Sequence, residues 1–162
     1  MLVQGLQVIT PWGVLVAPRE KIALQQGQTL RVFLSFNYQY GGTEPFKVTL
    51  HGFIGTRQAN GTFQSVADGK TAISLPKATT FTPQEASVDI PTSGGFIGIG
   101  KTPLGTYDLL VRFDEFPDVY AELSQVVDIS SAGADLTGAF GAMMMLVMLG
   151  MVMPMITEGM AE

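Results

Sequence analysis

Cysteine is absent from the 162 residues. Disulfides, thiolate metal sites and cysteine nucleophiles are thereby excluded, and the redox compartment is left unmarked. Histidine occurs once, as His51, which excludes a multi-histidine metal site and disfavours a serine–histidine–aspartate triad. Basic residues are scarce: nine Lys and Arg stand against fourteen Asp and Glu, a net charge of −5. A basic face for nucleic acid and a polybasic patch for anionic lipid are both disfavoured by that balance, so the expectation is a chain with no nucleic-acid partner. No nucleophile-and-base pair stands out, and the fourteen acids are too scattered to pick a carboxylate pair. The expectation is therefore no enzyme and no cofactor. The opening residues, Met1 to Gly5, lack the basic stretch and apolar run of a secretory signal peptide. No internal repeat is visible, and no stretch before Ser130 has a 3.6-residue apolar period.

What the chain has in abundance lies at its end. From Leu136 to Ile156 run twenty-one residues with one hydroxyl and no charge, and eight of the nine methionines fall between Met143 and Met160. A helix of this length, rising ~1.5 Å per residue, matches the ~30 Å hydrocarbon thickness of a bilayer. The 130 or so residues before it suffice for one two-layer core.

Those residues are β-patterned. Leu6 and Val8, then Trp12, Val14 and Val16, alternate around Pro11, as in a proline-broken edge strand. Ile22 and Leu24 make a short strand. Thr29 to Tyr40 is the clearest one, with Leu30, Val32, Leu34, Phe36, Tyr38 and Tyr40 on one face. Phe46 to Thr56 alternates again, with Phe46, Val48, Leu50 and Ile54 inward and His51 outward on the surface. Asn60-Gly61 signals a hairpin, and Thr62 to Val66 returns as a strand. Asp68-Gly69-Lys70 reads as a tight turn before Thr71 to Leu75. Pro76 and Pro83 bound a threonine-rich connection, and Ala86 to Ile90 form a short strand. Tyr107, Leu109, Val111 and Phe113 share a face, and Val119 to Ile129 closes the sheet. Eight or nine short strands at roughly ten-residue spacing predict a mainly β fold, an antiparallel sandwich.

The segment Leu104-Gly105-Thr106-Tyr107-Asp108-Leu109 resembles the start of the penultimate strand in immunoglobulin-like and fibronectin-like domains. Gln26-Gly27-Gln28-Thr29-Leu30 resembles the entry to their second strand. The resemblance covers residues 20–129 and implies that Tyr107 bonds nearby backbone and fixes a crossing between sheets. There is no cysteine pair, and Trp12 lies too early to be the core tryptophan of antibody-type domains. A jelly roll of similar strand count is the competing sandwich.

Two motifs could carry chemistry. Gly95-Phe96-Ile97-Gly98-Ile99-Gly100-Lys101-Thr102 matches the P-loop pattern letter for letter. The mechanism needs a helix after it, whose N–H groups cradle phosphate. Here Pro103-Leu104-Gly105 and a β-patterned run follow, so Gly95, Gly100, Lys101 and Thr102 are read as a decoy. Asp114, Glu115 and Asp118 cluster in the last turn, with Glu122 nearby. Calcium favours such oxygen clusters, but this spacing fits no calcium loop, and Asp and Pro are ordinary turn residues. No metal is expected.

The tail admits three readings: a bilayer-spanning anchor, an assembly helix among other subunits, or a core helix. Its all-round apolarity disfavours the last. Ala134, Gly138, Ala142 and Gly150 share an i, i+4 line, interrupted by Leu146, which suits close helix packing. No Lys or Arg follows Arg112, so no basic flank sets an orientation. The expected organisation is a β-sandwich over 1–129, a small-residue hinge over 130–135, a hydrophobic transmembrane helix over 136–157 and a short polar tail over 158–162. The expected partners are copies of the chain or other subunits, together with a lipid bilayer. The expected role is that of a structural, membrane-associated component, such as part of a virus particle with an internal membrane. A cellular tail-anchored binding module is the alternative, and a nucleotide-binding protein the remote one.

Overall fold

A computed structural model describes residues 1–9, 21–93 and 102–131 of the chain. Among these residues there are eight strands and no helix. The strands are β1 (Leu2–Ile9), β2 (Ile22–Gln25), β3 (Thr29–Tyr40), β4 (Phe46–Arg57), β5 (Phe63–Leu75), β6 (Ala78–Pro91), β7 (Gly105–Phe113) and β8 (Tyr120–Ser130). They form two sheets, one of order β1-β3-β6 and one of order β2-β8-β7-β4-β5. The fold is mainly β, and its two sheets fit a β-sandwich.

The period-two pattern places the core. Leu30, Val32, Leu34, Phe36 and Tyr38 of β3 are all buried, and they meet Val48, Leu50 and Ile54 of β4 and Tyr107, Leu109, Val111 and Phe113 of β7. The Phe36 and Phe113 rings, one from each sheet, meet edge to face with centroids 5.1 Å apart, a favoured aromatic geometry.

Several sequence expectations are corrected. Asp68-Gly69-Lys70 is no turn, because β5 runs unbroken for 13 residues and Gly69 pairs with Gly52. The two glycines let β6 come close. A Cβ on Gly69 would lie 1.8 Å from the Asp89 carbonyl oxygen, and one on Gly52 would lie 2.8 Å from Ile90 Cδ1. Nor is the stretch between Pro76 and Pro83 a connection, since β6 begins at Ala78 and takes in Pro83, opposite Asn37. A proline is tolerated there because β6 is an edge strand, with a neighbour on one side only. The sheets are not wholly antiparallel, as β2 pairs parallel with β8. The first strand starts at Leu2, earlier than the alternation at Leu6 suggests.

β8 carries a bulge. The register jumps between Tyr107↔Val127 and Leu109↔Leu123, and Gln125 takes a left-handed φ of 52°. The buried carboxylate of Asp108 holds this bulge, accepting the backbone N–H of Gln125 at 2.7 Å and that of Arg57 at 2.8 Å. Ser130 belongs to β8. Its carbonyl accepts the Gln26 N–H at 2.8 Å, so the chain leaves the sheet at Ser131. The expected helix over 136–157 and its packing line Ala134, Gly138, Ala142 and Gly150 lie outside the described residues.

Candidate functional site

A side-chain network that joins β4, β5 and the turn after β7 stands on the outer face of the five-stranded sheet. His51 alternates outward from Leu50, as the sequence pattern requires, yet only 8% of it is exposed. The expectation of a surface histidine is corrected by what covers the ring. Nδ1 lies 2.9 Å from Asp114 Oδ1 and Nε2 lies 2.8 Å from Asp68 Oδ2. Phe53, two residues on and therefore on the same face, stacks on the ring with centroids 3.8 Å apart. Lys70, directly opposite His51 in the β4–β5 register, donates to Asp114 Oδ2 at 2.7 Å.

The strand period explains the assembly. Asp68 and Lys70 are two apart in β5 and so share the outer face, while Asp114 arrives just past the end of β7. With both carboxylates ionised, both histidine contacts are hydrogen bonds only when each ring nitrogen carries a proton. Burial pushes the Asp114 carboxyl up. The hydrogen bonds from Lys70 and His51, with the charges behind them, outweigh this and hold it below the usual carboxylate value. Neither ring nitrogen of His51 is free for a ligand in this arrangement. The network braces β5, β4 and the β7–β8 turn. Sequence reading missed it because Asp-Gly-Lys imitates a turn; the usable signal was Asp68 and Lys70 at a spacing of two beside a strand that carries the sole histidine.

Next along the same face, Arg57 donates to both carboxylate oxygens of Glu122, with Nε 3.0 Å from Oε1, and its guanidinium lies over Phe63 at 5.5 Å. On the opposite sheet, Arg31 grips Asp89 through two bonds of 2.7 and 2.8 Å. The hydrogen bonds from Arg31 outweigh burial and hold the Asp89 carboxyl below its usual range.

The acidic cluster expected in the last turn does not converge. Asp114 is engaged by His51 and Lys70, Glu115 Oε2 accepts the Thr49 N–H at 2.8 Å, and Asp118 is exposed. Among the described residues, no group of three His, Asp or Glu side chains is arranged to hold a metal ion.

Of the P-loop letters, Gly95, Gly100 and Lys101 lie outside the described residues. Thr102 is fully buried, and its hydroxyl has no hydrogen-bond partner among the described residues. Its N–H donates to the Thr92 carbonyl at 3.2 Å and its carbonyl accepts from Gln26 Nε2 at 2.7 Å. Three residues later the chain enters β7, so no helix N-terminus stands where phosphate would need one. Tyr107, singled out for its position, is buried, and its hydroxyl donates to the Pro103 carbonyl at 2.9 Å.

No family model matches the sequence, and no curated protein matches it. Among solved structures, the chain is similar to Pseudomonas fluorescens alkylpurine DNA glycosylase AlkC bound to DNA containing an abasic site analog. The identity is 11% and the TM-score 0.37, over 78% of this chain and 30% of that one. The chain thus spans less than a third of the length of that protein. Two expectations stand against this match, that the chain is no enzyme and that it has no nucleic-acid partner, since the protein matched is a DNA-bound enzyme. A likeness this distant assigns neither property to the chain. The nucleic-acid expectation overreached because net charge is a sum over the whole surface and does not fix the charge of one face, and the enzyme expectation because side chains that only the fold brings together show no pairing in the sequence.

Proposed function

We propose that this chain is a structural, interaction-bearing module: an immunoglobulin-like sandwich held in a membrane or a multi-subunit assembly by its C-terminal hydrophobic segment. The observation that carries the reading is one of connection. The uncharged run that begins at Leu136 starts six residues after Ser130, the last residue of β8. β8 is itself paired on both sides, with β2 and β7, so whatever holds the segment also holds the sandwich at a fixed point.

The immunoglobulin-like form is favoured over a jelly roll by two features. A jelly roll divides eight strands into two Greek keys, whereas here three strands face five. The hydroxyl of Tyr107, at the start of the penultimate strand, also bonds backbone four residues upstream, as the corner tyrosine of immunoglobulin-like domains does. The proposed setting is a particle with an internal membrane, built from copies of this chain and other subunits.

Extraction tests the reading. The full chain is expected to stay in the pellet in alkaline carbonate and to be released by detergent. A truncation after Ser131 is expected to give a freely soluble, monomeric β-domain. Full release of the intact chain by carbonate, with no assembly in its absence, overturns the reading.

A further inference from the structure

Arg112 differs from the other described arginines. Arg31 grips Asp89 and Arg57 grips Glu122, whereas Arg112 has no hydrogen-bond or ion-pair partner among the described residues. Its Nε is buried without an acceptor, and buried donors in native proteins are rarely left unmatched. The residue stands on the outer face of β7, directly opposite His51 on one side and Tyr120 on the other. Its guanidinium lies over the Phe53 ring, 5.0 Å from the centroid, and Phe53 is in turn stacked on His51. Arg112, Phe53 and Tyr120 are all half-buried, so solvent reaches this face. The nearby acids do not serve it: Asp68 and Asp114 are engaged by His51 and Lys70, and Glu122 by Arg57.

The result is a planar cation seated on an aromatic ring, with a donor fork that no described residue matches. Such a fork fits a carboxylate through two parallel hydrogen bonds, and a lysine in its place would not. We infer that Arg112 anchors a docking surface on the outer face of the five-stranded sheet, and that its occupant is an acidic segment of a partner protein. That segment supplies an Asp or Glu carboxylate to the guanidinium and apolar atoms to Phe53 and Tyr120. One unmatched cation among three engaged carboxylates suits a single carboxylate better than a polyanion, which needs several cations side by side. This inference rests on the reading of the chain as an interaction module and names the chemistry of the partner.

The test uses the full chain in detergent micelles, with the arginine Nε–Hε resonances observed by nitrogen-15 NMR. The probe is a short peptide of alternating Glu and Leu. Its Gln-for-Glu counterpart and a single-stranded DNA oligomer are run in parallel. A saturable shift of the Arg112 resonance is expected with the acidic peptide alone, while those of Arg31 and Arg57 stay in place. Arg112→Gln and Arg112→Lys are each expected to weaken peptide binding by about tenfold or more. The lysine variant keeps the charge, and so keeps the test open if the glutamine variant fails to fold. Absence of a saturable shift, an equal shift with the Gln peptide, or unchanged binding by Arg112→Lys overturns the docking surface. Tighter capture of the DNA oligomer at Arg112 overturns the protein partner. Carbonate extraction is scored separately: a chain that still resists carbonate but ignores the peptide loses the docking surface and keeps the module reading.

Discussion

The carboxylate of Asp108 accepts the backbone N–H of Gln125 at 2.7 Å, and so ties the middle of β7 to the bulge in β8. Its other oxygen takes the N–H of Arg57, so one buried side chain serves two strands on either side of its own. Asp108→Ala leaves both donors unmatched. We expect a loss of about 2–6 kcal/mol, since each orphaned donor costs about 1–3 kcal/mol. Urea unfolding of the wild type and variant in the same detergent measures it.

The bulge carries its own strain. Gln125 sits at φ 52° without being glycine, a conformation that costs an ordinary L-residue about 1–2 kcal/mol. Glycine relieves that strain and returns part of it as chain entropy. Gln125→Gly is therefore expected to leave stability unchanged or raise it by up to about 1 kcal/mol, a rare sign for a glycine placed in a strand. A clear loss of stability in the same unfolding assay contradicts this account of the bulge.

Close approach of β5 to β6 depends on Gly69. Its missing Cβ would meet the Asp89 carbonyl oxygen at 1.8 Å, and backbone cannot swing aside as a side chain can. Gly69→Ala is expected to cost about 3 kcal/mol, at the upper end for overpacking. Gly41 has open space and an ordinary φ, so Gly41→Ala should change stability by less than about 0.5 kcal/mol. The contrast between the two melting temperatures is the measurement.

Asp114 makes the fold sensitive to acid. Burial raises its carboxyl, but the hydrogen bonds from Lys70 and His51 bring the net value below the ordinary one. A carboxyl depressed by folding contributes stability that is fully present above its unfolded value, near pH 4. That contribution disappears as pH falls through the lower, folded value. Asp114→Asn is expected to be about 1–3 kcal/mol less stable than wild type at pH 7. The gap should narrow as both are acidified below about pH 4. Melting temperatures from pH 2 to pH 7 check the slope; a gap that widens in acid reverses the sign and rules out this role.

How much of this was legible in the sequence depends on what each residue pattern encodes. β3 was read residue for residue, from Thr29 to Tyr40, because an alternating strand with one buried face writes its period directly into the chain. β2 and the inward face of β7 were legible for the same reason. The β5 strand was not, because Asp-Gly-Lys spells a turn locally. Gly69 is there for a contact with β6 some twenty residues away, which no local window can show. Pro83 misled in a similar way, since a proline breaks a central strand but is harmless on an edge, and edges are set by the topology.

The polar network was the least legible part. His51, Asp68, Lys70 and Asp114 meet only after β4 has paired with β5 on one side and β7 on the other. The sequence showed that His51 points outward; it could not show that Phe53 and two carboxylates would then cover it. The setting of Arg112 has no signature in the sequence, because an unmatched charge is recognised only by knowing where the other charges have gone.

The exit point at Ser130 has a mechanical side. The last residues of β8 are flanked by parallel β2, with Ile22 opposite Val127 and Gln25 opposite Ser130, and by antiparallel β7 up to Gly105 opposite Ile129. A pull on Ser130 directed along β8 loads both ladders in shear, so that they must give way together. Had the chain left from an edge strand pulled sideways, the bonds would open one at a time, as a zipper does. A tether attached here would hold the sandwich by a strand that is laddered on both sides.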